Sequence, residues 1–244
     1  MLLIDFGNSR LKWALGHDPD GWVDQGGFDA DRLDLGMGEQ WRSLSPPKRV
    51  VMASVASNAS TQRVVQWIGC HWSVVPLMVV AETEALGVRN SYQPSHRLGS
   101  DRWAAMLGAR ALASGAYCVV DCGTAVTVDG VNESGEFMGG IIMPGLAMAR
   151  RALVSGADGI GGDPTEGCGV RCRDTATAVS SGTLYGIAGG IDRVLSEFES
   201  DQGDIDLFIT GGDAKTLAPV LVHQTQWVPD LVLRGLVRIA EQLL

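Results

Sequence analysis

The sequence predicts an α/β protein built from two similar halves, and three observations carry that prediction. Apolar, strand-like runs alternate with helical stretches along the chain. One hairpin pattern, an apolar strand ending in Asp-x-Gly, occurs at Asp5-Phe6-Gly7 and again at Asp121-Cys122-Gly123. The length, 244 residues, allows one large domain or two small ones with real cores, because a chain of this size buries roughly 70–75% of its unfolded surface.

In chain order, Leu2-Leu3-Ile4 reads as a strand ending in Asp5-Phe6-Gly7-Asn8-Ser9, and Leu11–Leu15 as the returning strand. Arg49–Val55 reads as a strand and Ser60–Cys70 as an amphipathic helix. Val74–Val80 is apolar but broken by Pro76, which predicts two short edge pieces. Gly87–Arg97 reads as a polar loop, and Ser100–Ser114 as an Ala-rich helix with Ser at its cap. The second hairpin comes next, with Tyr117–Val120 leading into Asp121-Cys122-Gly123-Thr124-Ala125 and Val126–Val131 returning. Ala147–Leu153 reads as a helix and Ser155–Arg173 as a long loop rich in Gly, Cys and Asp. Thr175–Phe198 reads as a helix despite Gly182, Gly186, Gly189 and Gly190, which cost stability unless packing needs a close approach. Asp206–Ile209 is a strand ending in the loop Thr210–Ala214, and Leu231–Leu244 a final helix. The expected boundary lies near Ser114-Gly115, giving domains 1–114 and 115–244.

Hydrophobic residues make up 45% of the chain and charged ones 19%, a globular composition. Nineteen Lys and Arg against 28 Asp and Glu give a net charge of −9. Such a chain has no general attraction for phosphate backbones, so nucleic acid is not an expected partner. An anionic ligand must be held by local devices: backbone N–H groups, a placed Lys or Arg, or a metal. Only Lys12, Lys48 and Lys215 are lysines. The N-terminal residues show no basic segment before an apolar one, and no run approaches the ~20 apolar residues of a membrane span. With five cysteines, the expectation is a reduced, cytoplasmic protein with no membrane partner. Cys118-x3-Cys122 and Cys168-x3-Cys172 lack the usual two-residue zinc spacing, and buried or loop thiols are the expected reading.

The hairpins carry the chemistry. In Asp-x-Gly-x-Ser/Thr the glycine permits a tight turn that presents N–H groups, the hydroxyl adds a donor, and the Asp at the strand end can hold a cation beside a phosphate. A single Asp-x-Gly is also an ordinary turn. Two in equivalent positions, with the Thr210-Gly211-Gly212-Asp213 loop, point to a polyphosphate ligand. Neither the Walker pattern nor the dinucleotide Gly-x-Gly-x-x-Gly fingerprint stands in its required context.

These motifs resemble the superfamily of acetate and sugar kinases, heat-shock chaperones and actin. The finer resemblance, over nearly the whole chain, is to type III pantothenate kinases. It rests on Asp5-x-Gly-Asn-Ser-x-x-Lys12, Asp121-Cys-Gly-Thr124, Gly99-Ser100-Asp101-Arg102, Gly139–Gly145, Thr175 with Ala178 and Ser181-Gly182, and Thr210–Ala214. The first hairpin has Ser9 where the family more often has Thr, and the hydroxyl is kept. The resemblance implies an actin-like ATPase fold: two ribonuclease-H-like domains with an interdomain nucleotide cleft. It implies ATP-dependent phosphorylation of pantothenate, the first step of coenzyme A synthesis.

By that resemblance, Asp5, Phe6, Gly7, Asn8, Ser9, Arg10, Leu11, Lys12, Thr124, Gly211 and Gly212 bind ATP. Asp101 is the base that accepts the substrate hydroxyl proton, and Tyr92, Gly99, Ser100, Asp101, Arg102 and Thr175 bind pantothenate. Asp121 holds a monovalent cation, potassium or ammonium, while magnesium arrives with ATP; Asp5 is a further candidate cation ligand. Read without the resemblance, Asp101 is a first-turn helix residue whose pKa the helix N-terminus lowers. Arg102 is then a surface ion pair, Tyr92 a loop aromatic, Thr175 a helix cap and Asp213 a cap for the next helix. Met106 and Leu107 suggest a packed face, and in the family such a face forms a homodimer. The seven tryptophans form no stripe beside basic residues and read as packing, and His17, His71, His96 and His223 show no metal spacing. Two other functions compete: another kinase or polyphosphate-cleaving phosphatase of the superfamily, and a non-catalytic nucleotide-binding regulator. The latter predicts damaged catalytic positions, whereas Asp5, Lys12, Asp101 and Asp121 are all present.

Overall fold

In the computed structural model, residues 1–160 and 169–243 are described. The ordered elements are β1 (Leu2–Phe6), β2 (Arg10–Leu15), β3 (Asp24–Asp29), α1 (Leu33–Gly36), β4 (Val50–Ser54), α2 (Asn58–Trp72), β5 (Leu77–Met78), β6 (Glu84–Ala85), β7 (Val88–Arg89) and α3 (Ser100–Arg110). Beyond them lie β8 (Tyr117–Cys122), β9 (Ala125–Val131), β10 (Phe137–Pro144), α4 (Leu146–Gly156), α5 (Thr175–Gln202), β11 (Asp206–Thr210), α6 (Ala214–Leu217), β12 (Gln226–Trp227) and α7 (Leu231–Gln242).

Two five-stranded sheets repeat one topology. The first has the order β3-β2-β1-β4-β5 and the second β10-β9-β8-β11-β12. In each, the Asp-x-Gly strand pairs antiparallel with its hairpin partner and parallel with the next strand in the order. The central strands β1 and β8 are buried almost throughout, which is why they read as continuous apolar runs rather than alternating ones. The first sheet's core gathers Leu2, Ile4, Phe6, Leu11, Trp13, Trp41, Met52 and Ile68. The second sheet's core gathers Cys118, Val120, Val126, Val128, Ile187, Ile191 and Ile209.

The chain divides into two compact units. One comprises Met1–Ala113, Gly135–Phe137 and Asp230–Leu244; the other comprises Ser114–Ser134 and Met138–Pro229. A single cut near residue 114 therefore assigns the C-terminal helix to the wrong side. Helix α7 lies against α3 in the first unit, with Gly108 facing Gly235 so closely that a Cβ on Gly108 would come within 2.5 Å of the Leu231 carbonyl oxygen. That packing also accounts for Met106 and Leu107, which are fully buried inside the unit and unavailable to form a homodimer face.

Other differences have local causes. Helix α3 has Gly99 at its N-cap and no side-chain cap. Ser100 instead turns its hydroxyl to β4, accepting from the Ser54 N–H at 3.1 Å and donating to the Ser54 carbonyl oxygen at 3.3 Å. Strand β3 has no apolar alternation and lies mostly exposed at a sheet edge, so pattern alone did not reveal it. Helix α5 runs through its glycines, but a Cβ at Gly182, Gly186 or Gly189 would meet nothing within 4 Å among the described residues. Of these four, only Gly190 has a close neighbour among the described residues: a Cβ there would lie 3.1 Å from the Met143 sulfur. Helix α4 extends to Gly156 and shortens the expected loop. Part of that loop, including Cys168, falls outside the described residues.

Candidate active site

In the first hairpin, register sets Asp5 opposite Lys12 and Phe6 opposite Leu11. The Gly7 N–H donates to the Arg10 carbonyl oxygen at 3.1 Å, which leaves Asn8 and Ser9 exposed at the tip. A phosphate approaching that tip meets a hydroxyl and turn amides, with the Lys12 stem one strand away. Within the same unit, β4 connects the hairpin to the start of α3. The Val55 N–H donates to the Phe6 carbonyl oxygen at 3.0 Å, and Ser54 is bonded to Ser100. The motif Gly99-Ser100-Asp101-Arg102 is thereby anchored to the strand beside the first hairpin.

Asp101 is half-buried in the first turn of α3. Its Oδ1 accepts the Arg102 N–H at 2.7 Å. A Cβ at position 99 would lie 2.6 Å from that same Oδ1, so the glycine two residues earlier makes room for the carboxylate. Burial raises the Asp101 pKa above 3.8, outweighing the hydrogen bond and charge of Arg102, which lower it. The expected lowering by the helix terminus is thus overturned: withdrawal from water is the larger effect. A carboxylate with a raised pKa is the better proton acceptor.

Arg102 is buried rather than part of a surface ion pair. Its Nη1 donates to the Tyr92 hydroxyl at 3.1 Å, and its guanidinium carbon lies 5.8 Å from the Tyr92 ring and 6.0 Å from that of Phe137. Tyr92 and Phe137 stack with centroids 5.9 Å apart. A buried cation beside two rings and a phenol suits a small acid with an apolar body. Phe137 and the organising Asn90 were missed in the sequence; neither stands in a motif, and only their contacts reveal them.

In the second hairpin, Asp121 faces Thr127, and the Gly123 N–H donates to the Ala125 carbonyl oxygen at 3.0 Å, leaving Thr124 at the tip. The loop after β11 lies directly against it. Thr210 pairs with Asp121, and the Asp213 N–H donates to the Cys122 carbonyl oxygen at 2.9 Å. Gly211 has φ +94°, and a Cβ there would come within 2.5 Å of Asp121 Oδ1 and closer still to the Cys122 carbonyl oxygen. Only a residue without a Cβ packs this closely against those two oxygens, and the Cys122 carbonyl oxygen also accepts the Asp213 N–H. Asp213 does not cap α6 with its side chain; burial raises its pKa against the opposing charge of Arg150. Burial also pushes the Cys118 and Cys122 thiols up, assisted by nearby carboxylates, so both are inert core groups.

Thr175 opens α5 in the second unit, where Asp174 is the cap: its Oδ1 accepts the Thr177 N–H at 2.9 Å. The Thr175 hydroxyl is therefore not needed for capping. It lines an open groove of about 640 Å³ with Leu153, Cys172, Arg173 and Gly182.

The sequence model of type III pantothenate kinase matches residues 1–197. A type III pantothenate kinase of Nitrosococcus oceani is 36% identical, covering 99% of this chain and 94% of that protein. One of Methylibium petroleiphilum is 39% identical over 99% and 98%. The chain belongs to the type III pantothenate kinase family. Among solved structures, a conserved Campylobacter jejuni protein provisionally named a Baf family transcriptional activator superposes with TM-score 0.61 at 20% identity, covering 99% of this chain and 98% of that one. The Clostridium difficile activator of 2-hydroxyisocaproyl-CoA dehydratase, with bound ADPNP, gives TM-score 0.50 at 12% identity, covering 98% and 93%. Such likenesses show the fold, which is the two-sheet actin-like ATPase architecture. Among the described residues no helix is long and apolar enough to cross a membrane.

Proposed function

We propose that Asp101 acts as the base, and Arg102 with Tyr92 as the acceptor clamp, in the ATP-dependent phosphorylation of pantothenate that opens coenzyme A synthesis. The carrying observation is the half-buried Asp101, its pKa raised, next to a buried Arg102 bonded to Tyr92. In this reading the guanidinium holds the pantothenate carboxylate, the Tyr92–Phe137 stack covers the apolar body, and Gly99 and Ser100 shape the approach. Asp101 orients the primary hydroxyl and takes its proton as the oxygen bonds to the γ-phosphorus and ADP leaves. Little proton removal is needed early in a loose transition state, so orientation by Asp101 contributes as much as basicity.

The first hairpin, Asp5 through Lys12, supplies turn amides, the Ser9 hydroxyl and the Lys12 charge to ATP phosphates. Thr124, Gly211 and Gly212 supply contacts from the second unit. Magnesium brought with ATP, and potassium or ammonium, neutralise phosphate charge when bound; Asp121 is the residue assigned to the monovalent ion, and Asp5 is a further carboxylate for cations. Thr175 contacts pantothenate from the groove in the second unit. A homodimer is part of the reading. Sedimentation equilibrium at micromolar concentration should return twice the chain mass. Free, buried Cys118 and Cys122 suit a reducing cytoplasm.

The deciding experiment incubates the purified protein with ATP, magnesium and potassium and monitors ADP release. Release should require pantothenate. Equal release with unrelated alcohols would favour another kinase of the superfamily, release with water alone a phosphatase, and nucleotide binding without release a regulator.

A further inference from the structure

We propose that Asn90 is a positioning residue for the acceptor site, holding the Tyr92 loop in the shape that lets the phenol meet Arg102. The inference rests on the pantothenate reading above and deepens it.

Asn90 is 8% exposed and lies just past β7. Its side chain bonds three backbone groups from both flanks of one loop. Nδ2 donates to the Glu82 carbonyl oxygen at 3.0 Å and to the Ser95 carbonyl oxygen at 3.1 Å. Oδ1 accepts the Tyr92 N–H at 2.9 Å. Its own N–H donates to the Thr83 carbonyl oxygen at 2.9 Å. One planar amide thus ties the entry of the loop, the residue carrying the phenol, and the turn Ser95–Arg97 that leads into Gly99. The neighbour Ser91 adds a hydroxyl bond to the Phe137 carbonyl oxygen, on the same residue whose ring stacks with Tyr92.

Only asparagine combines two donors and an acceptor at this reach. Glutamine is one methylene too long. Aspartate keeps the shape and the Tyr92 bond but sets an acceptor against two carbonyl oxygens. Because the amide is buried, water does not replace the lost bonds. Among the described residues no hydrogen bond joins Asn90 to Asp101 or to the hairpin tip, and its bond to the Tyr92 N–H is its direct route to the phenol.

The test compares the full-length parent, Asn90→Asp, Asn90→Ala, Tyr92→Phe and the double variant Asn90→Ala/Tyr92→Phe. Asn90→Asp should raise KM for pantothenate about tenfold, the loss of roughly one net buried bond, while kcat and KM for ATP stay within about twofold. The double variant should be little worse than the worse single, because both act through one phenol. Additive losses, or a fall in kcat with KM for pantothenate unchanged, would overturn the proposal. If Asn90→Ala does not fold, Asn90→Ser takes its place in the cycle. Should the parent show no pantothenate-dependent turnover, the functional reading alone fails. Hydrogen exchange at the Tyr92 amide then decides the positioning: it should quicken about tenfold or more in Asn90→Ala or, where that does not fold, Asn90→Ser, and unchanged exchange sinks it.

Discussion

In the first unit Asp5 stands opposite Lys12 and beside Ala53; in the second, Asp121 stands opposite Thr127 and beside Thr210. The two hairpins hold the same place in the same sheet order. One has a two-residue tip next to a lysine, and the other a one-residue tip against which Gly211 packs too closely for any side chain. The backbone repeat supplies two equivalent strand ends. Single cross-strand neighbours then set a lysine opposite the first carboxylate and a threonine opposite the second. The contrast continues beyond the parallel strand. In the first unit β4 anchors the helix bearing Asp101 and Arg102; in the second β11 leads directly into the Gly211 loop.

The largest effect should come from the element that only the first unit has. Asp101→Asn should cut kcat about 10²- to 10⁴-fold with ATP binding near normal, read by steady-state kinetics and nucleotide titration. The parent's kcat/KM should fall as pH drops through the raised Asp101 pKa, above 3.8, because the base must be charged. Stability runs the other way. The folded state holds this proton more tightly than the unfolded chain, so stability falls as pH rises through the raised value. Asp101→Asn should therefore melt no lower than the parent at neutral pH.

Lys12→Met removes the cation that distinguishes the first hairpin from the second, and kcat/KM for ATP should drop about 10²- to 10³-fold. Asp121→Asn should cost less, about tenfold, with the rate becoming indifferent to exchange of potassium for sodium; a retained preference for potassium would place the ion elsewhere. Gly211→Ala should be smallest, destabilising by about 1–3 kcal/mol through strain and overcrowding, and visible as a Tm lower by several degrees.

Much of this was legible in the sequence because it depends on short-range chemistry. Asp-x-Gly with a hydroxyl one or two residues on dictates a turn and its donors, and continuous apolar runs dictate central strands. Asp101 and Arg102 stand in a motif, but their environments were not legible: Arg102 is buried against Tyr92, and Asp101 shifts opposite to the direction a helix end alone predicts. Burial depends on the groups that pack above a residue, and no local window contains them. Asn90 and Phe137 escaped for the same reason, since their importance lies in partners that the loop and β10 bring to them.

The order of elements, the duplicated Asp-x-Gly strands and the charge balance were set by residue pattern alone, because each reflects bonding within a few positions along the chain. Which unit α7 joins, which face of α3 is covered, and how far Asp101 is withdrawn from water were decided only by packing. Those outcomes arise from apolar surfaces finding each other across long stretches of chain, where separation in sequence says nothing about separation in space.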